Sequence, residues 1–586
     1  MLSPLWSPLQ GPRPRRRGGW RQQAEAEMRE EGEAPGLMSR LMGRLLLNWC
    51  EGTRTGVQVQ QHAADAQSDG LDHPMVRRFA QLGTGQHSHE GIMQLLDSCG
   101  LQGQIQSFPA ETFTDMLLPS TWIHLLHKYH RYQFGMRIGA ERTKLRRFWR
   151  DFLAEPANAE VARGHPAVRG LTLGELAVVV PLVVHTDAAP FTKTQSVSCI
   201  SFGGLLSLGD AKLTRLLCCS SPKGDAFDDG PAWQHLMADF EELRTGIVAG
   251  RTVAADPDGT VWKFALIFCK GDEEVRCNTF GAAHYNAREE PCSECLANRD
   301  EGDKPFTDLR EHAAWRPSEN MGFEAYKARF RLPHHPVVAS TFFCHRYFFM
   351  LDLMHLVDCG GVAALVFGSA LMYLVRDARL GPNQDVRLAA INAARDAFYS
   401  TRPGLHKLPK IFLKSLRSNG WGDLHGPAFK AAIVRSAAPF IADLVATHCI
   451  GDEILDRSLR GVTAKLAEFY QILYDAPMFL APASRARLQA VCLEFGLHYQ
   501  RLRELSRRAG LLAFAVTPKV HKLQHVPMLA KSINPRFVQC YIEESIVGSI
   551  VGSYKGSVRG RYRPSVQRVV LVKRLAGLLL RLELDV

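Results

Sequence analysis

Signatures of several common enzyme classes are missing from this 586-residue sequence. It has no glycine-rich phosphate loop of the P-loop or dinucleotide-binding type. It also has no nucleophile elbow and no protein-kinase signature. These absences argue against a P-loop nucleotidase, a dinucleotide-dependent dehydrogenase, an α/β-hydrolase and a protein kinase.

A disulfide framework and a secretory leader are also missing. The fourteen cysteines are spread from Cys50 to Cys540 without dense clustering. The first twenty residues are basic but lack the apolar run of a secretory signal. We therefore expect a reduced, intracellular chain.

Composition and charge set broad limits on the function. Hydrophobic residues make up 46% and charged residues 22%, which is ordinary for a globular protein with a large core. The net charge of +12 is compatible with a nucleic-acid partner but does not require one.

One apolar run resembles a membrane span. Cys359–Val375 is apolar over seventeen residues, whereas about twenty are needed to cross a bilayer. We interpret it as a buried helix and expect no membrane association. The alternative is a membrane-associated protein with one helix at 359–375.

The first 170 residues divide into two regions. Residues 1–75 are polar and basic, which predicts a disordered tail with one short helix at Met38–Trp49. Arg15–Arg17 could be a nuclear localisation patch, or part of a solvated tail or an untranslated extension of the gene model. Residues 76–170 are helical, basic and aromatic; they either contact a DNA backbone or present a solvated basic face.

The middle of the chain changes from β to α periodicity. Leu176–Asp187 and Val261–Asp272 are long apolar runs, typical of strands buried on both faces. Between them we predict two further strands and a helix, so that residues 171–290 form an α/β core. Residues 291–510 are mainly helical, and residues 511–586 contain an acid-bearing helix.

Both long strands end in an acid, Asp187 and Asp272. Carboxylates at the ends of neighbouring strands can bind Mg²⁺ or Mn²⁺, which prefer oxygen ligands. Two such ions activate water and stabilise the leaving oxygen during phosphodiester cleavage. Each aspartate alone is more simply a turn residue or a helix cap.

Four segments in order resemble DDE transposases of the CACTA (En/Spm) and Plavaka kind, over about residues 175–560. They are VVHTDAAPFTKTQSVSCISFGGLL, FALIFCKGDEEVRCNTFGAAHYNAREEPCSECLANR, LDLMHLVDCGG, and TPKVHKLQHV followed by CYIEESIVGSIV. In the family the last segment carries a catalytic glutamate four residues before a glycine. Gly548 therefore selects Glu544 as the third acid, with Glu543 as the fallback.

The resemblance implies a fold and an activity. The fold would be an RNase H-like mixed sheet interrupted by a large, mainly α-helical insertion at 291–510 and completed by 511–586. Asp187, Asp272 and Glu544 would bind Mg²⁺ or Mn²⁺ and support cleavage and strand transfer on DNA, at transposon ends or derived sites. The family also implies a nuclear location, and it is compatible with a homo-oligomer.

Two departures from the family keep another function open. Glu273 and Glu274 follow Asp272, where the family often has proline or a small residue. The N-terminal DNA-binding module of the family is not recognisable. The alternative function is a catalytically inactive, nucleic-acid-binding descendant of a transposase.

Cys292 and Cys295 form a CxxC pair, which has the spacing of half a structural Zn²⁺ site. Without metal, the pair would be two cysteines packed in a loop. His521 and His525 also have a metal-compatible i, i+4 spacing, although a helix-face pair without ligation is the simpler interpretation. The candidate partners of the CxxC are Cys277 and His284 upstream, or His334, His335, Cys344 and His345 downstream.

Asp352 and His355 form a DxxH element that places both side chains on one helix face. His355 could orient a catalytic carboxylate or contact the scissile phosphate. The alternative is an N-cap aspartate followed by a core histidine.

Overall fold

A computed structural model describes residues 40–584, except 52–53, 69–73, 82–86, 99, 109–114, 224–229, 288, 300–301, 419–420 and 558–562. The described chain is mixed α/β. The strands are β1 (Gln106–Ser107), β2 (Asp115–Met116), β3 (Val179–Pro190), β4 (Ser196–Gly204), β5 (Leu216–Lys223), β6 (Ile247–Val248), β7 (Arg251–Thr252), β8 (Lys263–Lys270), β9 (Arg417–Ser418) and β10 (Trp421–Gly422).

Helices make up most of the described chain. In chain order they are α1 (Arg40–Cys50), α2 (Gly56–Ser68), α3 (Pro74–Ala80), α4 (His87–Ser98), α5 (Pro119–Tyr129), α6 (Arg131–Ile138), α7 (Arg142–Ala154), α8 (Ala159–Gly164), α9 (Leu173–Leu176), α10 (Ala211–Thr214), α11 (Gly230–Leu243), α12 (Glu273–Asn278), α13 (Phe323–Lys327), α14 (Pro336–Ala339), α15 (Val362–Arg376), α16 (Gln384–Ser400), α17 (Ala431–Ser436), α18 (Ala438–His448), α19 (Ile454–Asp475), α20 (Pro482–Arg508), α21 (Pro518–Leu523), α22 (Val526–Leu529), α23 (Tyr541–Ser557) and α24 (Arg563–Leu584).

The chain forms two compact units, each built from separated stretches of sequence. Unit 1 comprises Met1–Ala140, His185–Trp262 and Ile542–Val586. Unit 2 comprises Glu141–Val184 and Lys263–Tyr541. The regions inferred from the sequence are consecutive stretches and stay predictions, because composition and periodicity do not reveal which distant stretches pack together.

In unit 1, β5, β4 and then β3 are neighbours in the sheet. The β4–β5 pair is antiparallel, with a register that runs from Ser196 opposite Lys223 to Phe202 opposite Leu216. Nearly all of β4 is buried, as is β5 up to Ser221. These two strands match the two that the sequence predicts between the acid-ended strands.

In unit 2, β8 is the neighbour of β3. The N–H of Lys263, the first residue of β8, donates to the carbonyl of Val178, just before β3, at 2.9 Å. The two strands therefore begin at the same end and run parallel, which makes the sheet mixed. Every residue of β3 from Val179 to Asp187 is buried, as is β8 from Phe264 onwards, as the continuous apolar runs predict.

The apolar run that resembles a membrane span forms α15 in unit 2. Twelve of its fifteen residues are buried. By length and composition Met354–Arg376 could cross a membrane, but 78% of its most apolar stretch is buried inside the structure. The interpretation as a buried helix is confirmed, and this burial agrees with a soluble protein.

The predicted disordered tail is ordered over part of its length. The helix expected at Met38–Trp49 is present as α1, but α2 is an additional helix within 1–75. In unit 1, α1 packs on α24, and Lys573 lies over the ring of Trp49 at 4.4 Å. The region is polar on average, and for this reason the apolar residues at helical spacing within it were not recognised as a helix. Residues 1–39, including Arg15–Arg17, lie outside the described residues.

Gly204, at the end of β4, tests the packing of α6 on the sheet of unit 1. A Cβ atom there would lie 1.8 Å from the carbonyl oxygen of Ile138. We expect Gly204→Ala to lower the free energy of unfolding by about 2 kcal/mol. Gly103→Ala is the control, because nothing lies within 4 Å of its Cβ position. Urea unfolding checks both; equal stability of the two variants would contradict the packing.

Candidate metal centre and acidic cavity

Four side chains of unit 2 form a compact, buried cluster of metal-ligating atoms. Cys292, Cys295, His521 and His525 place one ligand atom each within 4.8 Å of all the others. The Sγ of Cys292 is 3.4 Å from Nε2 of His525, and the Sγ of Cys295 is 3.2 Å from Nε2 of His521. The two Nε2 atoms are 3.2 Å apart. The cluster could hold a metal ion such as zinc.

Two segments supply the ligands. The cysteines lie in a loop, and the histidines lie one helical turn apart, His521 in α21 and His525 just before α22. The ring of Trp315 packs against both histidines, with centroid distances of 4.4 Å and 5.3 Å. The apolar surroundings exclude water, as expected for a structural site rather than a catalytic one with an open position.

Hydrogen bonds orient both histidine rings. Nδ1 of His521 lies 2.9 Å from the carbonyl of Phe306, and Nδ1 of His525 lies 2.7 Å from Oε1 of Glu319. Each Nδ1 therefore carries the proton, and Nε2 is directed to the sulfurs. Such partners fix the tautomer of metal-binding histidines. The donor set and its orientation fit a Cys₂His₂ zinc centre.

The protonation states also suit a cation. Burial acts to raise the pKa of Cys292, but the hydrogen bond from Cys295 and the charges of His525 and His521 hold it well below its usual value. Burial acts to lower the pKa of His525, yet the Cys292 thiolate raises it to about 9. A bound metal ion would favour the thiolate forms of both cysteines and the neutral forms of both histidines.

The upstream partners predicted for the CxxC lie elsewhere. The Sγ of Cys277 lies 3.3 Å from the carbonyl of Ala283, and His284 stacks on Tyr285. Of the downstream candidates, His345 faces the carbonyl of Ile267 at 3.0 Å and His335 caps α14. None of the six predicted partners, including His334 and Cys344, belongs to the cluster found among the described residues. The signal that points to the correct pair is the i, i+4 histidine spacing.

A cavity of about 410 Å³ opens beside the end of β8 in unit 2. Apolar side chains form much of its wall, together with Tyr285. Its charged lining consists of the acids Asp272, Glu273, Glu274 and Asp352 and the basic residues Arg276, His355, Lys519 and Lys522.

Asp272 lies between the end of β8 and the start of α12. Its Oδ1 accepts a hydrogen bond from the N–H of Val275 at 2.8 Å, so the aspartate caps the helix. The side chain is half-buried and lines the cavity. Glu273 contacts Lys522, while Glu274 is exposed. The two acids that depart from the family pattern therefore have different surroundings.

Asp352 and His355 form a hydrogen-bonded pair on the same cavity. Nδ1 of His355 lies 2.7 Å from Oδ2 of Asp352, whose carboxylate also accepts from the backbone N–H groups of His355 and Cys540. Burial acts to raise the pKa of Asp352, but these partners hold it below its usual value. Asp352 thus acts as a cap and also orients the ring of His355, which is 24% exposed.

The other predicted acids belong to unit 1. Asp187 is buried in β3, and its Oδ1 accepts from the N–H of Ala188 at 2.7 Å. Glu543 is fully buried and forms an ion pair with Arg215 at 2.7 Å. Burial raises the pKa of Cys199, and the charges of Asp187 and Glu544 raise it further. Asp187 and Glu544 thus both lie near Cys199.

Neither comparison with known proteins identifies a relative. No protein-family model matches the sequence, and no curated protein matches it.

The metal centre makes a direct prediction. We expect the purified chain to carry about one zinc ion, and Cys295→Ser or His521→Ala to weaken its binding more than about 100-fold. Cys277→Ser is the matched control, because Cys277 is a buried cysteine outside the cluster. Zinc content and the visible absorption of the cobalt-substituted protein check this. Zinc retained by Cys295→Ser, or lost from Cys277→Ser, would exclude the assignment.

Proposed function

We propose that the protein is a transposase-like or transposase-derived polynucleotidyl transferase of the DDE type. One observation carries the proposal. Within unit 2, the N–H of Lys263 donates to the carbonyl of Val178, so β3 and β8 begin at the same level. Asp187 and Asp272 each follow that hydrogen bond by nine residues. We propose that this register continues along both strands as far as the two aspartates.

The sheet supports an RNase H-like core for this activity. Parallel neighbours carry the two acids, and the antiparallel strands β4 and β5 continue the sheet on the other side of β3. Rigid, buried strands hold carboxylates with little freedom, which a metal-binding acid pair requires. We take the largely helical sequence at 291–510 as the insertion that the resemblance implies.

Glu544 is the third acid of the proposed triad. Glu543, the fallback, is fully buried and already neutralises Arg215. Glu544 is half-buried and, like Asp187, acts electrostatically on Cys199. These two observations favour Glu544 over Glu543 as the acid that can reach a shared metal ion.

Mg²⁺ or Mn²⁺ bound by Asp187, Asp272 and Glu544 would supply an activated water or hydroxyl and stabilise the leaving oxygen. Two basic residues of the cavity would act on the nucleic acid. His355, oriented by Asp352, would contact the phosphate, and Lys519 adds a cationic group to the same cavity.

Helix α7 is the proposed DNA-contacting element. Its apolar face is buried, and Nε1 of Trp149 donates to the carbonyl of Val179 at 2.8 Å, which fixes the helix in unit 2. Arg142, Arg146 and Arg150 recur every four residues, about 6 Å apart along the axis. Asp151 pairs with Arg150 at 2.8 Å. The exposed cations of the helix are Arg142, Lys144, Arg146, Arg147 and Arg150.

Cleavage of DNA tests the triad. We expect the purified protein to nick supercoiled plasmid with Mn²⁺ or Mg²⁺. Asp187→Asn, Asp272→Asn and Glu544→Gln should each reduce the rate more than about 100-fold, because each removes a metal ligand. Glu274→Gln is the matched control, since this acid is exposed on the same cavity.

The outcomes of this assay separate the two proposed functions. Wild-type rates in all three variants would refute the triad. A wild-type chain that binds DNA but neither binds Mn²⁺ nor nicks DNA would instead be the inactive, DNA-binding descendant.

Salt dependence tests the DNA contact of α7. The logarithm of the binding constant falls linearly with the logarithm of salt concentration, by about 0.9 per phosphate contact. We expect Arg146→Gln and Arg150→Gln each to lower this slope by about one unit. Arg508→Gln, at an exposed arginine of α20, should leave it unchanged. Fluorescence anisotropy with duplex DNA checks this, and unchanged slopes in both α7 variants would exclude the helix.

A further inference from the structure

The helix that follows Asp272 is too short to hold its own position. α12 has six residues and begins directly after the capping aspartate. Isolated helices of fewer than about twelve residues are marginal in water. The position of Asp272 therefore depends on what holds α12 within unit 2.

One support of α12 comes from the loop that carries the metal-binding cysteines. Nη2 of Arg276, on α12, lies 2.6 Å from Oε1 of Glu294, and the two side chains are 3% and 1% exposed. Glu294 lies between Cys292 and Cys295. Both side chains of this ion pair are buried, so movement of the loop would leave a buried charge without a partner.

A second support comes from the helix that carries the metal-binding histidines. Nζ of Lys522 contacts Oε1 of Glu273, the first residue of α12. Lys522 directly follows His521, and its side chain is only 3% exposed. Glu273 also lies 3.6 Å from Nη1 of Arg276, which joins the two supports. Residues adjacent to Cys295 and His521, two members of the metal cluster, thus both hold α12.

We infer that the Cys₂His₂ centre positions Asp272. Metal binding would fix the loop of Cys292–Cys295 against α21, and the ion pairs Arg276–Glu294 and Lys522–Glu273 transmit that position to α12. Glu273, Arg276, Glu294 and Lys522 are positioning residues, and they act on the site through Asp272. The inference rests on the proposed function only in assigning Asp272 to the reaction.

Hydrogen exchange of the full-length protein tests this coupling. Removing zinc with a chelator should accelerate exchange of the α12 amides, including the capped N–H of Val275, by about tenfold or more. The amides of α19, far along the chain within unit 2, should change much less. Equal acceleration of α12 and α19 would mean that the metal only stabilises the unit as a whole. That result, or no change at α12, would overturn the inference.

Two variants separate positioning from metal binding. Glu294→Gln and Lys522→Gln should keep zinc but accelerate exchange at α12, since each keeps all four ligands. Glu155→Gln is the matched control, because its ion pair with Arg485 at 2.7 Å lies within unit 2 and involves neither α12 nor the cysteine loop. Wild-type exchange at α12 in both variants, with zinc retained, would also overturn the inference.

Plasmid nicking measured in parallel distinguishes failure of the proposed DNA cleavage from failure of the coupling between the metal centre and α12. If α12 responds to zinc but the wild-type protein neither nicks DNA nor binds Mn²⁺, the coupling stands and the proposed reaction fails. If zinc removal changes neither nicking nor α12, the reaction stands and the coupling fails.

Discussion

The packing of the Cys292–Cys295 loop against His521 and His525 is the interaction on which unit 2 depends most. It brings together residues that are more than 200 positions apart in the sequence. Burying these four polar side chains together is costly, and a bound cation would offset that cost. Glu319, Phe306 and Trp315 are held around the same cluster, so the centre organises several loops that have little secondary structure.

The sheet provides a different kind of order, which needs no metal. β3 and β8 are buried on both faces, so hydrophobic burial and backbone hydrogen bonds fix their register. Asp187 lies three residues before the end of β3, and Asp272 follows the last residue of β8 by two positions. The strands β3 and β8 are therefore held in place by their own burial and hydrogen bonds. The short helix α12, by contrast, depends on contacts with its neighbours.

Local patterns predicted β3, β4, β5, β8 and the buried helix α15, because periodicity and burial depend on contiguous residues. The spacing of the DxxH element also predicted that Asp352 and His355 lie together. The sequence could not show that Asp352 has two roles, as a cap for backbone N–H groups and as the group that orients the ring of His355. The partners of the CxxC were not predictable from spacing alone. Cys277 and His284 are near in sequence, but only the fold shows that His521 and His525 are near in space. The helices of residues 40–68 were missed in part, because their apolar residues are diluted by polar neighbours.

The metal cluster joins the two ends of the long helical segment between Cys295 and His521, a separation of 226 residues. The cluster therefore closes this segment into a loop whose two ends are held together. The entropy of closing a ring depends only weakly on its length, by about 0.6 kcal/mol per doubling. Loops within the segment can therefore become longer or shorter, or contain an inserted domain, at little cost in free energy, while the cluster keeps the two ends together. This tether allows the segment between Cys295 and His521 to change in length while its two ends stay together.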